Sequence, residues 1–226
     1  MDPLAVLGRT PLFRDVNRKD LEGLLPSLRT RTFRKGSYAF HEGDSGTALF
    51  VIHSGQVKIS RMGRRGEEAV YAILAAGDTF GEIALLTEDG VRTADAQAMD
   101  LTECLVIPRE AFLNFLQHQP TVMQHVIRLL AGYVQQLDTN FAEVAFLDIA
   151  GRVAGKLLEL SQTHGEQTSE GIRIKMRLSQ ATLAAMVAAS RENVNRALQR
   201  FAARGTIKQE AGVITILRPN ELRKRS

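Results

Sequence analysis

The sequence predicts an α+β chain with an N-terminal β jelly roll, a long helix and a C-terminal winged helix-turn-helix. Three observations carry that prediction. Between Arg31 and Ile107, apolar residues recur at a period of two in short stretches separated by glycines. From Pro120 to Val144 the spacing changes to alternating threes and fours. Near the C-terminus, two short apolar-periodic segments, each opened by a serine, meet at Ala188-Ala189.

Composition bounds what such a chain can do. Its 226 residues are 44% hydrophobic and 24% charged, enough to bury a core in one large domain or two ordinary ones. No apolar run approaches the ~18 residues needed to cross a bilayer. The start, Met1-Asp2-Pro3-Leu4, lacks a basic segment ahead of an apolar one, so a cytoplasmic protein without a membrane partner is expected. The single Cys104 cannot form an internal disulfide or by itself hold an iron–sulfur cluster or structural zinc. The five histidines are scattered, and no metal site is expected. The net charge of +4 is small, but Arg and Lys crowd the last fifth of the chain, as a nucleic-acid footprint would.

In order, residues 1–28 read as short helical pieces, with Leu4, Leu7, Leu12, Phe13, Leu21, Leu24, Leu25 and Leu28 at helical spacing. The segments 48–52, 56–60 and 69–74 read as strands, with glycines such as Gly43, Gly55, Gly66 and Gly77 supplying the turns. Evenly spaced strands of this kind indicate a sandwich or barrel, here a jelly roll. Pro108 suits a first helical turn. After Pro120, Met123, Val126, Leu130, Tyr133, Leu137 and Val144 form a seam whose remaining position is Asn140. Such a helix pairs with its own copy or packs on its own domain. A further helix is expected over 152–160, a polar loop over 163–170 and an edge strand over 171–176. Leu178 to Leu198 then reads as two helices capped by Ser179 and Ser190, and Ile207 to Leu217 as a wing hairpin.

The stretch that organises the first half is Phe80-Gly81-Glu82-Ile83-Ala84-Leu85-Leu86, followed by Arg92-Thr93-Ala94. A carboxylate accepts from a hydroxyl, and a guanidinium fork matches phosphate oxygens. Gly81 lets backbone approach a ligand, and the small Thr93 and Ala94 leave room beside it. Glu82 and Arg92 would equally serve as an ion pair between two strand ends. The string resembles the phosphate-binding cassette of cyclic-nucleotide-binding domains. That resemblance implies a ligand site at Gly81, Glu82, Ile83, Ala84, Arg92 and Thr93. The turns at 42–44, 54–55 and 77–78 fall where such domains place theirs.

Similarity extends to the end of the chain. Ala145-Phe146-Leu147-Asp148 followed by Gly151-Arg152 matches the hinge of the CRP/FNR family of transcription regulators, and Ser190-Arg191-Glu192-Asn193-Val194-Asn195-Arg196 is similar to the recognition helix of that family. The resemblance implies a sensor domain over 1–118, a dimerisation helix and hinge over 119–147, and a DNA-binding domain over 148–226. It places base contacts to the effector on Leu137 and Asp138, where adenine-sensing members usually carry two small hydroxyl or amide residues. Asp138 can pair with the exocyclic amine of adenine or accept from guanine N1 and N2. Asp138 thus leaves adenine and guanine both open; the resemblance implies cyclic AMP as the expected effector, with cyclic GMP possible.

A recognition helix presents its first residues to the major groove. Arg191 and Arg196 can read guanine O6 and N7, and Glu192 can accept from cytosine N4, with Asn193 beside them. Ser179, Gln180 and Ser190 can donate to phosphates. As a plain solvated face, the same helix would pair Glu192 with Arg196 at i, i+4. The expected protein is a homodimeric, allosteric regulator of transcription on palindromic double-stranded DNA, with RNA polymerase as a further partner. Two other readings keep the fold: a member sensing another effector, or one active without ligand. A regulatory subunit would need a docking segment that the helix-turn-helix leaves no residues to form. No paired carboxylates, P-loop or nucleophile with a base is found, so an enzyme is not expected.

Overall fold

The structure, a computed structural model, describes residues 2–176, 178–210 and 212–226. It divides into two compact units, the first ending at Val134 and the second beginning at Gln135.

The first unit opens with two short helices, α1 (Pro3–Arg9) and α2 (Arg18–Glu22). The side chains of Asp2 and Asn17 accept backbone N–H groups that these helices would otherwise leave unpaired. Eight strands follow: β1 (Arg29–Phe33), β2 (Tyr38–Phe40), β3 (Ala48–Ser54), β4 (Val57–Met62), β5 (Glu68–Leu74), β6 (Thr79–Phe80), β7 (Asp95–Ala98) and β8 (Thr102–Pro108). A four-residue helix, α3 (Ile83–Leu86), interrupts them between β6 and β7. The strands form two antiparallel sheets, ordered β1-β8-β3-β6 and β2-β7-β4-β5, the order of a double-sheet jelly roll.

Strand β3 shows why both faces of the first sheet are apolar. Ala48, Phe50 and Ile52 join a core with Phe33, Val57, Phe80, Ala96 and Cys104. The alternate residues Leu49 and Val51 join another with Leu7, Phe13, Leu21 and Phe112, supplied by the helices and the turn between α1 and α2. Cys104 is buried, and burial pushes its thiol up to about 12, which keeps it protonated and unreactive.

Helix α4 (Arg109–His118) starts directly after Pro108, and α5 (Pro120–Phe146) follows. Val122 and Val126 on α5 are buried in the helix-side core. The outward stripe is Met123, Ile127, Val134, Leu137, Phe141 and Val144. The expected seam is therefore corrected in register. Val126 and Tyr133 are turned toward the β domain of their own chain, so Ile127, Val134 and Phe141 take the outer positions. Asn140, the remaining position of the expected seam, accepts from Gln136 Nε2 at 3.0 Å.

The second unit contains α6 (Ile149–Thr163), β9 (Gly165–Gln167), β10 (Ile172–Ile174), α7 (Gln180–Met186), α8 (Arg191–Ala203), β11 (Ile207–Glu210), β12 (Val213–Ile216) and α9 (Pro219–Arg223). Its sheet runs β11-β12-β10-β9. Strand β9 lies inside the expected polar loop, because pairing with β10 recruits a polar segment that has no strand pattern of its own. Helices α6 and α8 bury Val153, Leu157, Leu160, Val194, Leu198 and Phe201. Among the described residues no helix is long and apolar enough to cross a membrane, and no group of three or more His, Cys, Asp or Glu side chains could hold a metal ion.

Candidate ligand site and nucleic-acid interface

The cassette is assembled by turns around α3. Gly81 has φ of 87°, a conformation that favours glycine, and a Cβ there would lie 2.5 Å from Arg92 Nη1. Glu82 follows, and its carbonyl accepts from Leu85 N at 2.9 Å to open α3. Gly46 packs against this helix so closely that a Cβ would stand 2.5 Å from that of Ala84. Arg109 Nη1 donates to Ala84 O at 2.7 Å from the other side. Arg92 is brought in by a backbone ladder: its N–H donates to Asp44 O at 2.8 Å, and its carbonyl accepts from Gly43 N at 2.9 Å.

Glu82 and Arg92 are each only 3% exposed. They do not form the ion pair that the sequence leaves open. Arg92 Nη1 donates to Gly81 O at 2.6 Å and Nη2 to Ala48 O at 2.8 Å, while its guanidinium carbon sits 4.1 Å from the Phe40 ring centroid. Arg92 Nε and Glu82 Oε2 are buried without a hydrogen-bond partner. Burial raises the Glu82 carboxyl above its ordinary value. Its own backbone N–H, the Tyr133 hydroxyl and the charge on Arg92 oppose that rise. Burial also lowers the Arg92 guanidinium, with the Glu82 and Asp44 charges opposing. Opposite charges buried close together yet left unpaired are costly, and they are retained where a ligand uses them.

Among the other predicted ligand residues, Ala84 is buried, Ile83 is half-buried and Thr93 is exposed. Thr93 lines a cleft of about 250 Å³ with Glu42, Gly43, Arg61 and Arg92. Arg61 there pairs with Glu42 at 2.7 Å, a second cation that no sequence motif singles out. Leu137 and Asp138 are exposed and belong to the second unit. The α5 residue facing Glu82 is Tyr133, one helical turn before Leu137, a position that the sequence pattern places in the seam. Its i−4 relation to Leu137 is the signal that points to it. The phenol is half-buried, and burial raises its pKa, reinforced by the negative charge on Glu82.

In the second unit, the side chains of Ser179 and Ser190 cap α7 and α8, accepting from Thr182 N at 2.9 Å and Asn193 N at 3.3 Å. The turn between them depends on Ala188, whose φ of 49° is left-handed. Arg191, Glu192 and Arg196 are exposed on α8. Arg196 donates to Asn193 Oδ1 rather than pairing with Glu192. Gln180 Nε2 donates to Asn195 Oδ1 at 3.0 Å, tying the two helices together.

Residues 30–119 match the cyclic nucleotide-binding domain family, and residues 151–225 match the Crp-like helix-turn-helix domain. Over 221 residues, 98% of each chain, the sequence is 33% identical to the CRP-like cAMP-activated global transcriptional regulator of Mycobacterium tuberculosis. The chain belongs to the CRP/FNR family of transcription regulators. It is also 31% identical to the cyclic AMP receptor protein of Thermus thermophilus over 92% of each chain. The crystal structure of the catabolite activator protein from that organism superposes with a TM-score of 0.55 at 30% identity, covering 95% of this chain and 97% of that one. FixK2 of Bradyrhizobium japonicum shares the fold, with a TM-score of 0.77 over 88% of this chain and 97% of that one at 18% identity. As a CRP/FNR member the protein is a DNA-binding transcription regulator carrying a cyclic nucleotide-binding domain, and it is not an enzyme.

Proposed function

We propose that this regulator binds cyclic AMP between Glu82 and Arg92 and acts as a cytoplasmic homodimer on palindromic DNA, with RNA polymerase as a further partner. In this reading residues 1–118 sense, 119–147 pair and hinge, and 148–226 read DNA. The observation that carries it is the pair of buried, opposite charges beside Gly81, each keeping one polar atom, Glu82 Oε2 and Arg92 Nε, without a hydrogen-bond partner. A ligand hydroxyl donates to the Glu82 carboxylate, and its phosphate meets the Arg92 guanidinium, whose Nε–H and second Nη hydrogens remain available. The amides of Ile83 and Ala84 and the Thr93 hydroxyl lie beside the phosphate. Leu137 and Asp138 meet the base. The exposed stripe of α5 supports the dimer, since a two-fold contact buries the same patch from both copies.

Ligand binding shifts the population between two dimer arrangements toward the one whose α8 helices lie a DNA turn apart. Arg191, Glu192, Asn193 and Arg196 face base edges, while Ser179, Gln180 and Ser190 hold phosphates. Replacing Arg191 with Ala lowers affinity by ~1 to 3 kcal/mol at one base pair of each half-site.

Calorimetry on ligand-stripped protein tests the effector. Cyclic AMP gives a binding isotherm that Arg92→Met abolishes, and cyclic GMP binds more weakly. Absence of heat with both nucleotides removes the effector reading, and tighter binding of cyclic GMP transfers it to that ligand.

A further inference from the structure

The cleft beside Thr93 holds a guanidinium that the cassette does not contain. Arg61 on β4 and Glu42, two residues after β2, stand on either side of β7, and their side chains meet at 2.7 Å. Strand register explains the meeting. Ile59 on β4, Ala96 on β7 and Phe40 on β2 are paired across the sheet and turn into the same core. Side chains alternate along a strand, so two residues further along, Arg61, Ala94 and Glu42 share that face at the end of the sheet. Ala94 between them is small and buried, and Arg61, Glu42, Arg92 and Thr93 line one cleft of about 250 Å³. We propose that Arg61 is a specificity-determining residue for the effector: Glu42 holds its guanidinium in the free protein, and the ligand phosphate takes it over as a second cation beside Arg92.

The proposal rests on the cyclic-nucleotide reading of this site and adds to it a residue outside the cassette. A cyclic phosphodiester spreads one negative charge over two free oxygens. Arg92 already donates from both Nη atoms, to Gly81 O and Ala48 O, so those two bonds aim its remaining hydrogens at one phosphate oxygen. The second oxygen is left for another donor, and Arg61 is the other cation lining the cleft. Its present partner gives it up readily. The side chains of Arg61 and Glu42 are 56% and 35% exposed, and an exposed ion pair is worth little, whereas a guanidinium on a phosphate makes charge-assisted, forked bonds. The turn carrying Glu42 stays in place, because Glu42 N donates to Asp95 Oδ1 at 2.8 Å and Gly43 N to Arg92 O at 2.9 Å. Asp89, the other acid lining the cleft, has its Oδ1 engaged by Val91 N at 3.3 Å. Glu42 is therefore a placeholder that an incoming anion displaces.

Calorimetry on ligand-stripped protein tests it, comparing wild type, Arg61→Gln, Glu42→Gln and the double variant. The probes are cyclic AMP, or cyclic GMP should that bind more tightly, and the two diastereomers of its phosphorothioate, in which sulfur replaces one or the other free oxygen. Arg61→Gln is expected to bind the cyclic nucleotide about tenfold more weakly. Sulfur is a weak acceptor, so the diastereomer that turns sulfur toward Arg61 is expected to lose little, and the other to lose as much as the parent nucleotide. A loosened fold would weaken both diastereomers alike, so their ratio reads the contact itself. Glu42→Gln is expected to tighten binding about threefold, a gain that vanishes in the Arg61→Gln background. Equal losses for both diastereomers, or undiminished affinity in Arg61→Gln, overturn the proposal. A gain from Glu42→Gln that survives without Arg61 overturns it too, since Glu42 would then be a plain repulsive charge. If wild type binds neither nucleotide, the effector reading fails and this one with it; if wild type binds and Arg61→Gln binds equally well, the effector reading stands and this one alone fails.

Discussion

Replacing Phe141 with Ala tests the outward face of α5 at its most exposed large side chain on the stripe. Phe141 is 76% exposed in the single chain, so most of its ring is still in contact with water. An aromatic side chain offers ~200 Å², which leaves roughly 150 Å² to be covered by a partner. Truncation to Ala removes about 100 Å² of that, or ~2.5 kcal/mol per copy at ~25 cal/mol per Å². A two-fold contact counts the change twice, giving ~5 kcal/mol as an upper bound. Because interfacial area converts only partly into affinity, about 2 to 5 kcal/mol is expected, a weakening of roughly thirtyfold to several thousandfold. Sedimentation equilibrium over a dilution series reads the dimer constant directly. Val126→Ala serves as the contrast: Val126 is 2% exposed and belongs to the core, so its loss lowers the unfolding midpoint rather than the association constant. An unchanged dimer constant for Phe141→Ala, or dissociation by Val126→Ala in a protein of native stability, refutes the register assigned to this helix.

Two further predictions concern single positions. Ala188→Gly relieves a left-handed residue at the corner between α7 and α8, and after the greater entropy loss of glycine on folding a gain of about 0.5 to 1 kcal/mol in chemical denaturation is expected. A loss of stability would show that the corner is not strained. Glu82→Gln changes how stability depends on pH. The carboxyl is raised in the folded state, so folded protein binds the extra proton, and the contribution of Glu82 is full below its ordinary value of 4.5 and declines as pH rises through the folded value. Relative to the Gln variant, wild type is therefore expected to lose stability on going from acid to neutral pH, and parallel curves would contradict the burial argument.

Features set by neighbours in sequence are legible from the residues alone. The caps at Ser179 and Ser190 are local hydrogen bonds within three residues, and both serines make them. Strand β3 is recognisable from its apolar residues and flanking turns, although periodicity does not show that both of its faces are covered. What spacing cannot do is choose between two interleaved stripes on α5. The sets 123, 126, 130, 133, 137, 140 and 123, 127, 130, 134, 137, 141 both alternate threes and fours, so nothing in their periods ranks them. Packing decides, because Val126 fits the core beside Val122 and Tyr133 reaches Glu82. The misassignment of Tyr133 and that of the seam are thus one error. Strand β9 escapes a sequence reading for a related reason, since its Gly165-Glu166-Gln167 has no strand preference and is held only by its register with β10.

In the proposed reading, the corrected register bears on how effector chemistry would reach the partner surface. Tyr133 and Val134 are consecutive on α5, one directed at the buried carboxylate and the other on the exposed stripe. Side chains at i and i+1 of a helix diverge by about 100°, so they serve different surfaces but share one backbone. In the proposed reading, any rotation of the helix that answers ligand binding at Glu82 turns Val134 by the same angle. No chain of intermediate contacts is required. Among the described residues the inner face of the helix is held by Val122 and Val126 in the core, by Leu130 packed against it, and by His125, whose Nδ1 lies 3.0 Å from Leu12 O. Deepening that clamp, as with a larger apolar residue at Val126 that the core accepts, would blunt the response to ligand while leaving its affinity in place.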